Sequence, residues 1–297
     1  MPSVTCAERV EWREFHFRAP DGLELFGRDC GPRGARITPL LCLAGLTRNS
    51  KDFEPLAAKL RDRQIIAFDY RGRGRSHYAD PSTYTPRHEL ADCLALMDHL
   101  HIDKACLVGT SRGGIIAMLM ARIRGDRIAG AILNDIGPRL EMEGLLRIAR
   151  LIRQGPEFQT WDEAADDLRA GSPETSDLTD SDWLCFARRL YKEELGKIIR
   201  DYDPALALAF PSPEEIARQA QPQLWTQFGA LKDKPCAVLR GEFSDLLSEA
   251  TVRDMAAVHK GLITASVRGR GHVPFLDEPE SIAAVLGVAE DCDSLLQ

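Results

Sequence analysis

Short apolar runs alternate with helical patterns along most of this chain. Residues 40–43 (LLCL), 65–68 (IIAF), 105–108 (ACLV), 131–133 (AIL), 237–239 (AVL) and 263–267 (ITASV) are nearly continuous in apolar side chains. Strands covered on both faces read this way, because neither side of the pleat meets water. Upstream, 14–18 (EFHFR) and 23–28 (LELFGR) flank Pro20-Asp21-Gly22, which predicts an antiparallel hairpin. The intervening stretches have another period. Leu90, Leu94, Met97 and Leu100 recur at helical spacing within 88–100, and 53–60 and 115–122 are helical in pattern too. Such alternation predicts an α/β protein: a mostly parallel eight-stranded sheet with helices on both faces.

One interval breaks the rhythm. Residues 138–234 hold no strand-like run and predict helices at 142–153, 161–169, 182–200 and 213–224. Gly155-Pro156, Gly171-Ser172-Pro173 and Pro211-Ser212-Pro213 punctuate them. The expected organisation is a core in two parts, 1–137 and 235–297, with a helical cap at 138–234 inserted between its sixth and seventh strands. No internal repeat or low-complexity tract interrupts it.

Composition narrows the function classes. At 297 residues and 44% hydrophobic content the chain can bury a substantial core, and 28% charged residues is ordinary for a soluble protein. A net charge of −7 argues against a nucleic-acid binder, which would carry a basic excess. The longest apolar run, 115–121, is far short of the roughly 20 residues that span a bilayer. The first residues, MPSVTCAERVEWREF, carry no basic flank followed by an apolar stretch, so no secretory signal is read and a cytoplasmic location is expected. The eight cysteines include no C-x-x-C pair and are expected to be reduced and structural. His99-x-His101 lacks a third ligand nearby, so no metal or other cofactor is expected.

Chemistry concentrates at three places. Gly109-Thr110-Ser111-Arg112-Gly113-Gly114 lies between a strand-like run and a helical one. A strand-to-helix turn that sharp needs small flanking residues and leaves Ser111 with an exposed hydroxyl, the setting of a nucleophile. A serine nucleophile needs a base. Of the seven histidines, His272 sits in Gly269-Arg270-Gly271-His272-Val273-Pro274, a loop just after a strand, where catalytic groups collect in open α/β sheets. The acid that orients the histidine is expected between them in chain order. Asp245, in the loop after 237–239 and beyond the cap, is the preferred candidate; Asp135, directly after 131–133, is the alternative, and Glu242 is a nearby competitor.

With these motifs the chain resembles the cap-bearing α/β-hydrolase superfamily over nearly its whole length. Asp69-Tyr70-Arg71-Gly72-Arg73-Gly74-Arg75-Ser76 is similar to that superfamily's D-x-R-G-x-G-x-S loop, and Leu43-Ala44-Gly45-Leu46-Thr47 stands in the place of its H-G-x-P loop. The resemblance implies an oxyanion hole from the backbone N–H groups of Leu46 and Arg112, which Ala44 in place of histidine does not remove. Arg112 stands where many relatives carry an uncharged residue; its side chain either pairs with Asp135 or another acid, or faces the substrate. The expected activity is a serine hydrolase cleaving a small carboxylic ester or lactone through an acyl-enzyme. Two readings compete: a carbon–carbon bond hydrolase, whose cap would have to grip an anionic substrate, and a non-catalytic ligand receptor on the same fold. The partner expected in every case is a small molecule, with no nucleic acid and no membrane.

Overall fold

In the computed structural model the described residues are 10–34, 37–175, 177–218 and 223–295. The predicted hairpin opens the fold: β1 (Arg13–Arg18) and β2 (Glu24–Cys30) pair antiparallel. There follow β3 (Leu40–Leu43), α1 (Glu54–Lys59), β4 (Ile65–Phe68), α2 (Pro86–His99), β5 (Ala105–Thr110), α3 (Arg112–Arg124) and β6 (Ile128–Asn134). The next elements are α4 (Met142–Leu151), α5 (Trp161–Ala170), α6 (Asp180–Leu190), β7 (Tyr191–Glu194), β8 (Lys197–Arg200), α7 (Pro213–Arg218) and α8 (Trp225–Gly229). The chain then returns through β9 (Cys236–Gly241), α9 (Glu249–Val258), β10 (Ile263–Val267) and α10 (Pro279–Ser294).

Eight strands form one sheet in the order β1-β2-β4-β3-β5-β6-β9-β10. The β1–β2 and β2–β4 pairs are antiparallel and the rest are parallel. Every residue of β3, β4 and β5 is buried, so both sheet faces are covered there, as the continuous apolar runs require. Parallel order brings the carboxyl ends of β3, β5, β6 and β9 to one edge, and the loops leaving that edge carry the candidate chemistry.

The segment between β6 and β9 has a small core of its own, with Trp183, Phe186, Tyr191 and Ile198 packed against Ala164 and Ala165. Helix α6 starts from a Thr179–Asp182 capping box. The expectation of a strand-free interval with one helix over 182–200 is corrected here, because α6 stops at Leu190 and β7 and β8 form an antiparallel ribbon. The lysine- and glutamate-rich run is a fair helix former, but burial of Tyr191 and Ile198 and backbone pairing of Phe158 with Ile198 outweigh that local preference. Of the helix predicted at 213–224, residues 219–222 lie outside the described residues.

Six cysteines are free and buried, as expected. Burial pushes the Cys93 and Cys236 thiols up to about 12, which keeps them protonated and inert. Cys185 departs from the expectation, being disulfide-bonded, and no spacing in the sequence signals it. Cys6 lies outside the described residues.

Helix α3 packs tightly against β3 at Gly113. A Cβ on Gly113 would lie 2.0 Å from the Leu43 carbonyl oxygen, which belongs to a central strand and cannot retreat. Gly113→Ala should therefore cost at least about 2 kcal/mol of stability and lower Tm by roughly 4–8 °C in thermal denaturation. An alanine variant as stable as the parent would contradict this account of the packing.

Candidate active site

Strand β5 ends at Thr110 and α3 begins at Arg112, so Ser111 alone makes the turn, at φ 49° and ψ −108°. A residue other than glycine held there stores about 1–3 kcal/mol of strain. Surrounding contacts keep it in place: the Ser111 amide donates to the Asn134 carbonyl at 3.0 Å, and the Ser111 carbonyl accepts from Gly114 N–H at 2.9 Å. The turn also explains Gly109, since a Cβ there would lie 2.6 Å from the backbone of Gly113 and Gly114.

The strained turn aims the hydroxyl at His272. Ser111 Oγ lies 2.9 Å from His272 Nε2, and His272 Nδ1 lies 2.7 Å from Asp135 Oδ2. With the carboxylate accepting, Nδ1 carries the proton and Nε2 is left to accept the serine hydroxyl. Asp135 follows β6 at φ 53°, a left-handed conformation that aspartate tolerates better than most residues. Its carboxylate is fully buried and also accepts from Gly241 N–H at 2.8 Å and Ser244 Oγ at 2.6 Å. Asn134 ties the histidine loop to β5, its Nδ2 donating to the Thr110 hydroxyl at 3.1 Å and the Pro274 carbonyl at 3.0 Å. Such a chain can take a proton from the serine and return it to a leaving group.

Asp245, the preferred acid in the sequence reading, is not the residue that meets His272. Arg147 of α4 takes it in a two-pronged ion pair, at 2.6 and 2.8 Å. Chain order left both aspartates eligible; the choice depends on which loop turns toward the histidine. The β9 loop instead supports Asp135 through Gly241 and Ser244, residues the sequence reading overlooked and for which no local signal exists. Glu242 is taken up elsewhere, accepting from Gly269 N–H at 2.9 Å.

Leu46 and Arg112 both border Ser111, and neither backbone N–H finds an acceptor among the described residues. Two free donors beside a nucleophile can receive an oxyanion. The Arg112 side chain bonds Glu89 at 2.7 Å and the Tyr84 carbonyl at 3.0 Å, so its acid is Glu89 and not Asp135. The loop at 69–76 is structural: Asp69 accepts from the Ser50 and Arg75 amides, and Arg71 pairs with Asp92 at 2.6 Å.

A cavity of about 240 Å³ opens over Ser111 and His272. Arg48, Arg147 and Arg200 line it together with apolar Ile148, Ile152 and Phe186. Arg48 is neutralised by Asp52 at 2.7 Å and Arg147 by Asp245. Arg200 has no carboxylate within ion-pair distance among the described residues, and its Nε is buried without a partner. Asp167 lies exposed at the same cavity. A second, smaller cleft of about 40 Å³ also borders Ser111 and is lined by Ile115, Ile136, Leu145 and Phe210. Among the described residues no group of three or more His, Cys, Asp or Glu side chains could hold a metal, and no helix is long and apolar enough to cross a membrane.

The fold is that of a hydrolase built on an α/β sheet, and comparison with known proteins agrees. The sequence profile of the alpha/beta hydrolase family matches residues 40–285, and the chain belongs to that family. It is 33% identical over 260 residues to a 3-hydroxybutyrate-oligomer hydrolase of Cupriavidus necator, covering 85% of this chain and 87% of the relative. A 2-(acetamidomethylene)succinate hydrolase of Mesorhizobium japonicum is 27% identical, with 81% of this chain and 84% of that one covered. The crystal structure of an alpha/beta hydrolase from Novosphingobium aromaticivorans superposes with a TM-score of 0.88 at 40% identity, over 95% of this chain and 99% of that one.

Exchanging the two aspartates for asparagine separates their roles. Asp135→Asn should lower kcat by about 10³–10⁴-fold, as expected when a histidine loses the acceptor that sets its tautomer; Asp245→Asn should cost less than about tenfold. The reverse ranking, measured on equally stable variants, would return the role to Asp245. Burial would raise the Asp245 carboxyl, but the Arg147 hydrogen bonds and charge prevail and hold it below the usual carboxylate range. A depressed folded value stabilises at pH above the unfolded one and is lost as pH falls. The stability difference between parent and Asp245→Asn should therefore be steady above about pH 5 and shrink below about pH 3.9. A difference independent of pH in chemical denaturation would refute the ion-pair account.

Proposed function

We propose that this protein is a serine ester hydrolase in which Ser111 is the nucleophile, His272 the base and Asp135 the orienting acid. The hydrogen-bonded chain from Ser111 through His272 to buried Asp135 carries the reading. His272 Nε2 takes the hydroxyl proton as Ser111 Oγ attacks the ester carbonyl carbon. The carbonyl oxygen becomes an oxyanion held by the amides of Leu46 and Arg112. Collapse of that intermediate breaks the bond to the alcohol oxygen, which receives the proton from His272 and leaves. Water then attacks the acyl-enzyme, again giving a proton to His272, and the acid is released as Ser111 Oγ regains a proton.

The substrate we favour is a short ester of a hydroxy acid that carries a free carboxylate. The arginine-lined cavity supports it, with Arg200 the cation left without a carboxylate partner. The small apolar cleft that also borders Ser111 suits a methyl or ethyl branch. Cleavage of 3-hydroxybutyrate oligomers, the substrate in the name of the Cupriavidus relative, meets both requirements. Residues 138–234 act as a cap that selects substrates, since Arg147, Ile148, Phe186 and Arg200 come from this segment. The carbon–carbon bond hydrolase remains the second reading, because an arginine-lined cavity would equally grip an anionic ketone.

Purified protein should hydrolyse 3-hydroxybutyrate dimer and trimer faster than the same compounds capped as methyl esters, and Ser111→Ala should reduce both to background. Arg200→Gln should raise KM for the free acids by about tenfold, the loss of one charged hydrogen bond, while leaving the capped esters unaffected. Equal rates on capped and free substrates would refute the carboxylate preference. Turnover of vinylogous diketones without any on esters would transfer the reading to carbon–carbon cleavage.

A further inference from the structure

Outside the residues that line the cavity, one carboxylate ties together the two backbone segments beside Ser111. Glu89, in the first turn of α2, is completely buried. Its Oε1 accepts from Arg73 Nη2 at 2.9 Å and its Oε2 from Arg112 Nε at 2.7 Å. Arg73, also completely buried, donates through Nε to the Leu46 carbonyl at 3.0 Å and through Nη1 to the Arg71 carbonyl at 2.6 Å. Tyr84 and Tyr70 stack on its guanidinium at 5.3 and 5.7 Å. Arg112 is the first residue of α3, and its side chain also donates to the Tyr84 carbonyl at 3.0 Å.

We infer that Glu89 is the positioning residue of the oxyanion hole, holding Leu46 through Arg73 and Arg112 directly, so that their two amides stay aimed at one point. The inference rests on the serine-hydrolase reading above. Its physical argument is a comparison of costs. Burying a carboxylate with two guanidinium groups incurs a large desolvation penalty, and apolar residues of similar volume often stabilise a core as well or better. What apolar packing lacks is direction: hydrogen bonds between a carboxylate and guanidinium groups fix angles as well as distances. Leu46 and Arg112 lie 66 residues apart in sequence (112 − 46), one in the loop after β3 and the other at the start of α3, so nothing local aligns them. Burial opposes ionisation of Glu89, but the charges of Arg112 and Arg73 prevail and hold its carboxyl below the ordinary value, so the bridge stays charged across the neutral range. The cluster of two arginines and one glutamate also leaves one net positive charge behind the donors.

Glu89→Gln separates positioning from simple support of the fold. It should lower kcat by about 10–100-fold, the cost of a small misplacement of an oxyanion donor, with KM changed less than about threefold. Affinity for an alkyl boronic acid, which forms a tetrahedral anionic adduct on the serine, should fall by the same factor as kcat. A folded Glu89→Gln protein with reduced Tm but unchanged kcat and boronate affinity would overturn the inference, and so would a rise in kcat, which would mean that the net charge matters and the geometry does not. Should that variant fail to fold, Arg112→Met decides. It keeps the backbone amide and the Glu89–Arg73 pair, and should still lose several-fold in both kcat and boronate affinity; no loss would overturn the inference. A Ser111→Ala protein that still turned over would instead defeat the serine-hydrolase reading itself.

Discussion

The site depends on how closely α3 can approach the centre of the sheet. Gly109 and Gly113 let the helix start almost against β3 and β5, and one residue, Ser111, absorbs the reversal at a positive φ. The strain is kept because the strands beneath are fully buried and cannot relax. The serine hydroxyl, the free amide of Arg112 and the positive end of α3 thus converge on one point at the sheet's carboxyl edge. A larger residue at either glycine would move all three together.

Around that point the remaining groups come from separate loops, each secured by a polar contact of its own. Asp135 is held by Gly241 and Ser244, the His272 loop by Asn134, and the Leu46 loop by Arg73. These bonds are buried, where losing one partner costs more than making the bond gains. The arrangement supports pre-organised chemistry, since the groups that would meet developing charge are in place before any substrate arrives. The interposed segment supplies Arg147, Ile148, Phe186 and Arg200 to the cavity wall, and Arg147 joins it to the core by pairing with Asp245.

Much of this was legible in the sequence. Continuous apolar runs marked six of the eight sheet strands and the hairpin pattern around Pro20-Asp21-Gly22 the other two, with 40–43, 65–68 and 263–267 matching β3, β4 and β10 end to end. Ser111 and His272 were readable because each stands in a glycine-rich loop directly after such a run. The β7–β8 ribbon was hidden, because its residues favour helix locally and are held as strands by contacts with Phe158 and the core around Trp183. Tertiary context overrode propensity there.

The acid of the site marks the boundary between the two kinds of information. Sequence by itself determined the sheet, the strained serine, the histidine and a pair of eligible aspartates, since each follows from local period, turn chemistry or position after a strand. The tertiary structure decided that Asp135 meets His272 while Asp245 meets Arg147, and that Arg112 and Arg73 share Glu89. Those pairings depend on the relative placement of loops far apart in the chain. A carboxylate looks the same in sequence whether it orients a histidine or neutralises an arginine, and its surroundings alone give it one role or the other.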